Sequence, residues 1–269
     1  MNKYLSIKVV TDVSGFFGDN RLRHRIVFER NTFMKCVFCG NKAETREHAP
    51  SKVFLKNPFP DNLPVVPSCK NCNIGYSCDE LYVALLLDLL KSHFYSDYLI
   101  SEITLDRLTK SEGKQARFAF EEYILHPPLI FNDLRIKRVL QKLAICHATY
   151  EVSDGYHGKS WENNFHTIDY FLLPYMTQDN YDDIDSFEVV SILPEVGSIG
   201  YNRIVNIEVT LSALEDGTIH KIPLPFAIWN DVQDDTYRYL SYVTSTEIIV
   251  KIVIGEFLFS IIRFIGCIK

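Results

Sequence analysis

Hydrophobic and polar positions change their spacing about halfway along the chain. Between positions 77 and 152, apolar residues recur at helical intervals, as in LYVALLLDLLKSHFYSDYL and again from Leu134 to Tyr150. Beyond position 153 the apolar runs are short, β-branched and aromatic, as in SFEVVSIL, NRIVNIEVTL and EIIVKIVI, with Gly, Pro, Asn and Asp between them. Such runs are typical of antiparallel strands. The pattern predicts an α+β fold, with a helical region over 77–152 and a mostly antiparallel β-rich domain over 153–269.

Local signals refine these elements. Ser77-Cys78-Asp79-Glu80 has the form of a capping box and predicts the start of the first helix. Arg135, Arg138 and Lys142 form a basic stripe on the second helix, which predicts a solvated face, the alternative being a face that meets phosphates. The apolar stretch 247–264 carries four charged residues and Gly255, so it predicts two buried strands rather than a membrane span. The Asp-rich stretches 179–185 and 231–235 predict loops.

The chain ahead of the helices lacks long periodic runs. Residues 1–33 alternate enough to predict a leader of strands. Residues 34–76 are rich in Pro and Asn and contain two C-x-x-C pairs, Cys36 with Cys39 and Cys69 with Cys72. Each pair offers two thiolates from one tight turn, and four thiolates suit tetrahedral Zn²⁺. The sequence thus predicts a structural zinc site, with a redox dithiol as the alternative, and the metal would add stability that a small core lacks.

Charge and cysteine content indicate the setting. The seven cysteines and the lack of a signal-peptide pattern favour a reducing compartment, and we expect a cytoplasmic protein with no membrane partner. Although the net charge is -6, residues 21–75 hold ten Lys or Arg and four Asp or Glu, a net of +6, which leaves -12 elsewhere. This asymmetry fits a phosphate-facing module on an acidic body, the alternative being an ordinary mixed surface.

Further polar residues lie between and beside the cysteine pairs. Glu47 and His48 are followed by Pro50, the dipeptide Asn62-Leu63 precedes the second pair, and Asn73 directly follows Cys72. Together with the cysteines, these features resemble the HNH endonucleases, also called ββα-metal nucleases, in their four-cysteine zinc-braced form. The resemblance covers residues 35–77. The chain departs from the family in having Glu47 where Asp is usual and Asn73 where many members have His.

The resemblance implies a fold and a set of roles. Two short strands and a helix, closed by Gly75, would surround a catalytic divalent ion such as Mg²⁺. His48 would be the general base, Glu47 and Asn73 would bind the ion, and Asn62 would tie the loop together. Basic side chains nearby could contact phosphates; they are Arg46, Lys52, Lys56 and Lys70.

The function expected from this resemblance is metal-dependent hydrolysis of phosphodiester bonds in DNA, with RNA as a second substrate to consider, in a setting such as restriction or phage defence. One alternative is a zinc-braced nucleic-acid-binding regulator without catalysis. Another is a protein-interaction scaffold in which zinc only staples the fold. The sequence leaves open whether the chain forms a homo-oligomer.

Overall fold

The computed structural model describes residues 10–11, 35–61, 63–151, 165–190, 203–212 and 219–265. Within these ranges the chain is α+β, and its sheets are antiparallel. The helices are α1 (Lys70–Phe94), α2 (Glu102–Thr109), α3 (Lys114–Leu125), α4 (Leu134–Glu151) and α5 (Gln178–Asp185). The strands are β1 (Val10–Thr11), β2 (Thr45–His48), β3 (Val65–Ser68), β4 (Phe165–Leu172), β5 (Glu188–Val189), β6 (Ile204–Ser212), β7 (Ile219–Ala227), β8 (Asn230–Gln233), β9 (Tyr237–Val243), β10 (Glu247–Ile254) and β11 (Leu258–Ile265).

Three sheets organise the described strands. β2 and β3 form a two-stranded hairpin, β4-β11-β10-β9-β8 form a five-stranded sheet, and β1-β6-β7-β5 form a four-stranded sheet. The predicted split of the stretch 247–264 is confirmed, since β10 and β11 pair along their full length and meet at a turn. In that turn Gly255 has a φ of +61°, and a Cβ there would lie 1.9 Å from Lys91 Nζ of α1. Glycine therefore serves both the turn and the close approach of α1.

Helix α1 begins at the second cysteine pair rather than at Ser77. Cys69 is its N-cap, and Cys69 Sγ accepts a hydrogen bond from the Cys72 amide at 3.4 Å. The helix then continues through Gly75 and Ser77, whose hydroxyl donates to Ile74 O at 2.8 Å. The predicted helix start at Ser77 and the predicted helix end at Gly75 are therefore wrong. One helix of 25 residues joins the cysteine-rich segment to the rest of the chain.

The loops predicted for the two Asp-rich stretches are wrong at 179–185 and, in part, at 231–235, where 231–233 belong to β8. The stretch 179–185 lies within helix α5, whose N-cap Thr177 accepts a hydrogen bond from the Asn180 amide at 3.3 Å. Ile184 is buried on this helix and packs in a small cluster with Val253 and Phe259. Tyr181 packs against the same cluster, so the cap and two apolar contacts hold a short helix that is otherwise polar.

One hydrophobic core joins the cysteine-rich segment to the body. It contains Val37 and Phe38 beside the first cysteine pair, Leu86 of α1, Val139 of α4 and Ile252 of the five-stranded sheet. Each such side chain, when fully buried, stabilises the fold by about 1.5–3 kcal/mol. The segment 34–76 thus gains stability from packing as well as from any bound metal. None of the helices in the described ranges is both long and apolar enough to cross a membrane.

Candidate metal centre and adjacent polar site

The four cysteines of the two C-x-x-C pairs come together. Their Sγ atoms all lie within 4.8 Å of one another, and those of Cys39 and Cys69 are 3.7 Å apart. Four sulfurs bound to zinc at about 2.3 Å would be separated by about 3.8 Å, whereas a disulfide would require about 2.05 Å. The four thiols therefore have the number, type and spacing for a tetrahedral metal ion such as Zn²⁺. The predicted clustering of the cysteines is confirmed.

The surrounding main chain shapes each cysteine pair. In the first turn Gly40 N donates to Cys36 O at 2.9 Å, and Gly40 has a φ of +72°. The second pair lies in the first turn of α1, with Cys69 as the cap. Cys36 and Cys69 are buried, whereas Cys39 and Cys72 are partly exposed.

Ionisation of the thiols is unequal. At Cys36, burial opposes the thiolate, but main-chain hydrogen bonds from Cys69, Cys39 and Phe38 outweigh it and lower the pKa to about 7. At Cys72, burial and the neighbouring cysteine sulfurs raise the pKa above its usual range. Several thiolates crowded together repel one another, and a dication at their centre would remove that penalty.

The cysteine cage closes one end of the β2–β3 hairpin. β2 follows the first pair and β3 runs directly into Cys69. Val37 N donates to Pro67 O, and Glu44 N donates to Ser68 O, both at 3.0 Å. A metal bound by the cage would therefore fix the positions of β2, β3 and the first turn of α1 together.

His48 ends strand β2 opposite Val65 and is half-buried. Its pKa is lowered, first by burial and then by the nearby Lys52, while Glu47 opposes the shift. The imidazole is therefore neutral at pH 7, the form that can accept a proton.

Glu47 projects into the interior. Side chains alternate along a strand, so Glu47 lies on the opposite face of β2 from Arg46 and His48. Its Oε1 lies 2.9 Å from Nζ of Lys142, a lysine of α4 whose side chain is fully buried. Nζ of this lysine also contacts Ser51 Oγ at 2.5 Å and Glu80 Oε1. One ammonium thus bridges two carboxylates and a hydroxyl contributed by three different parts of the chain.

Lys142 is the residue that sequence reasoning missed. The basic stripe predicted a solvated face for α4, but this prediction is wrong at Lys142, which is buried, while Arg135 and Arg138 pair with Asp79. Burial opposes the charged form of Lys142, yet Cys146, Glu80 and Glu47 outweigh it and raise its pKa. Its sequence neighbourhood gives no sign of these carboxylates, because they come from distant positions.

Asn73 lies in the first turn of α1 and contacts β2. Its Nδ2 donates to Thr45 Oγ1 at 3.3 Å and to Arg46 O at 3.4 Å. Asn73 therefore meets the same strand that carries Glu47 and His48. Asn62 lies outside the described residues.

The four basic side chains predicted to contact phosphates are exposed. Lys52 lies over the ring of Phe59, with 5.4 Å from Nζ to the ring centre. Lys70 begins α1, and Arg46 projects from β2 on the side away from Glu47. The main-chain N–H of Lys56 donates to Gln233 at 2.7 Å, which links the segment to β8. These cations lie in the hairpin or within eight residues of one of its strands in sequence, and they are open to solvent.

Comparisons of the chain with protein-family models, with curated proteins and with solved structures found no match. The cage, the hairpin and the first turns of α1 are therefore the features that indicate a function.

Proposed function

We propose that the chain is a metal-dependent endonuclease of the HNH type that hydrolyses phosphodiester bonds in DNA. One observation carries the proposal. Two antiparallel strands and a helix meet at a four-cysteine cage, and the strand that bears Glu47 and His48 is the strand that Asn73 of the helix contacts. A base and two oxygen ligands on such a unit are the groups that metal-assisted hydrolysis needs.

His48 is the proposed general base. A half-buried imidazole with a lowered pKa is neutral at pH 7 and can take a proton from an attacking water. Its place at the end of β2, with the exposed Arg46 and Lys52 nearby in sequence, leaves it beside cations that attract phosphate.

Glu47 and Asn73 are the proposed ligands of a hard divalent ion such as Mg²⁺, which prefers oxygen. When bound, the ion would neutralise charge on the phosphate and the leaving oxygen. Asn73 uses its amide nitrogen on Thr45 and Arg46, so its carboxamide oxygen is its available metal donor. Glu47 pairs with Lys142 on the face of β2 opposite His48, so its carboxylate would have to leave this lysine and turn to the outer face to bind an ion beside the proposed base.

The Glu47–Lys142 pair favours a second candidate function. If Glu47 serves only to hold α4 against the hairpin, the chain is a zinc-braced nucleic-acid-binding protein without catalysis. Zinc, the exposed cations and the hairpin would be kept in that case, and cleavage would be lost.

Metal analysis and a plasmid-nicking assay test the proposal together. The purified chain should contain one zinc, and it should nick supercoiled plasmid in Mg²⁺ or Mn²⁺. The variant His48→Ala should lose about 10²-fold or more in rate, since general-base catalysis contributes that much. His126→Ala is the matched control, because His126 is an exposed histidine after α3. Equal cleavage by wild type and His48→Ala would overturn the assignment, and DNA binding without cleavage would favour the second candidate.

A further inference from the structure

An open cleft lies between helix α4 and strand β4, outside the cysteine cage and the hairpin. Its volume is about 360 Å³. Its lining residues are Leu134, Lys137, Arg138, Gln141, His166 and Ile168. Leu134 is 78% exposed at the rim, so the cleft is open to a large ligand. The lining combines cationic and amide groups with apolar side chains.

The charge beside this cleft is positive. Arg135 Nε and Arg138 Nη1 each lie 2.7 Å from the carboxylate of Asp79. One carboxylate shared by two guanidinium groups leaves one positive charge, and Lys137 adds another. The side chain of Arg138 is 53% exposed, so its charge is available to solvent. The nearby Asp133 is buried and accepts hydrogen bonds from Tyr82, Tyr123 and main-chain amides of α4, and its formal negative charge reduces the net charge beside the cleft to +1.

The positive charge beside the cleft contrasts with the negative net charge of the surrounding sequence. Residues outside 21–75 carry a net charge of -12. A locally cationic cleft in an acidic body attracts anions to one place on it, because like charges elsewhere repel them.

The cleft lies close to the early turns of α1. The Arg138 guanidinium lies 5.0 Å from the ring centre of Tyr76, and a Cβ built at Gly75 would be 3.8 Å from Arg138 Nη2. Tyr76 is three residues after Asn73 on α1, about 4.5 Å further along the helix axis. Arg138 therefore bridges the first turns of α1 and the cleft.

We infer that this cleft binds the phosphodiester backbone of the nucleic acid that the hairpin and α1 act on. The inference rests on the proposed function and extends its substrate contact to a surface outside residues 34–76. Lys137 and Arg138 would contact phosphate oxygens, and the Gln141 amide would donate a further hydrogen bond. Such contacts set affinity and position and carry no direct sequence preference.

Fluorescence anisotropy with labelled DNA duplex, DNA single strand and RNA tests this inference. The full chain carries His48→Ala so that the probe stays intact. Lys137→Gln removes a cation, and Gln141→Glu adds an anion to the cleft at a half-buried position. Lys110→Gln is the control, because Lys110 is an exposed lysine at the end of α2. Melting curves verify that all variants are folded.

We expect each cleft variant to bind the preferred probe about fivefold more weakly. In Lys137→Gln the magnitude of the slope of log K against log salt should also fall by about 0.9, for the one lost ionic contact with phosphate. Lys110→Gln should match its parent. Unchanged affinity in both cleft variants, or a loss of affinity in Lys137→Gln with an unchanged salt slope, would overturn the cleft assignment alone. The nicking assay on wild type tests the proposed function separately, so a failed cleft assignment can be told apart from a failed nuclease assignment. Failure of the parent to bind any of the three probes would overturn the cleft inference.

Discussion

Lys142 Nζ and Glu47 Oε1 lie 2.9 Å apart, with the lysine side chain fully buried and the glutamate side chain 9% exposed. The pair joins α4 to β2 across 95 positions of sequence. Glu80 of α1 accepts from the same ammonium, so three elements meet at one charge. The pair thereby fixes the inner face of the strand whose outer face carries His48.

Replacing Lys142 by methionine should strongly destabilise the chain. The change leaves the carboxylates of Glu47 and Glu80 buried without their cation, and breaking a buried ion pair in this way costs about 3–5 kcal/mol. Urea unfolding gives the free energy of each variant. Lys137→Met, on the same helix but half-buried, should change it by less than about 1 kcal/mol.

Combining Lys142→Met with Glu47→Gln and Glu80→Gln should recover much of that loss, because the uncompensated charges are then gone. If Lys142→Met alone unfolds at the same urea concentration as wild type, the buried network has no role in stability.

Disrupting the cysteine cage should release its metal. Cys69→Ser removes one metal ligand, while the serine hydroxyl can still cap α1, so we expect loss of bound zinc and a lower melting temperature caused by loss of the metal. Elemental analysis and thermal unfolding measure the two effects. Cys78→Ser is the matched control, since Cys78 is an exposed cysteine outside the cage, and it should retain one zinc per chain. Full zinc content in Cys69→Ser would contradict a four-cysteine site.

Cleavage should weaken in acid with a midpoint below pH 6.5. His48 has to be neutral to act as a base, and its lowered pKa, caused by burial and by Lys52, keeps it neutral to lower pH than a free histidine. The cleavage rate should therefore fall only when the pH drops below the lowered pKa of His48. Lys52→Ala removes one of the causes and should move the midpoint to higher pH, whereas Lys56→Ala should leave it unchanged. A shift of equal size in both variants would argue against a specific effect on His48.

Stability should also decrease in acid because of His147, a residue of α4. Burial lowers the pKa of His147 to about 3, and its Nε2 lies 2.7 Å from the Tyr237 hydroxyl. The unfolded chain binds a proton at this histidine near pH 6.5, while the folded chain does so only near pH 3. Titration of this histidine therefore leaves the free energy of unfolding unchanged above pH 6.5. Between pH 6.5 and pH 3 it decreases the free energy of unfolding by about 1.4 kcal/mol for each pH unit.

The His147→Phe variant tests this pH dependence. Its unfolding free energy should fall less than that of wild type between pH 7 and pH 5, even if its absolute stability is lower. Parallel curves for the two proteins would show that His147 does not titrate on unfolding in this range.

The sequence predicted those features that depend on local spacing. Two C-x-x-C pairs, each with its own tight turn, are enough to predict the cysteine cluster, and Gly255 within an apolar stretch is enough to predict the β10–β11 turn. Helix α1 was misjudged because Ser77 has the form of a cap, whereas Cys69 provides the actual cap eight residues earlier. A cysteine sulfur is not a usual cap, and only the folded cage shows it in that role.

Long-range charge pairing could not be predicted in the same way. Lys142 shares a helical spacing with Arg135 and Arg138, and nothing local distinguishes this fully buried cation from the two that solvent reaches. Its partners Glu47 and Glu80 lie 95 and 62 positions away. The sequence therefore predicts an ion-binding role for Glu47 without revealing that Lys142 already neutralises its carboxylate.

Helix α1 carries two cage ligands at its start and packs into the main core further along. Removal of the metal with a chelator should therefore act unevenly on this single helix. Amide hydrogens of its first two turns would exchange with solvent deuterium much faster, while those from Leu85 to Leu90 would keep their protection. A boundary of that kind within one continuous helix would show how far the influence of the ion extends into the protein.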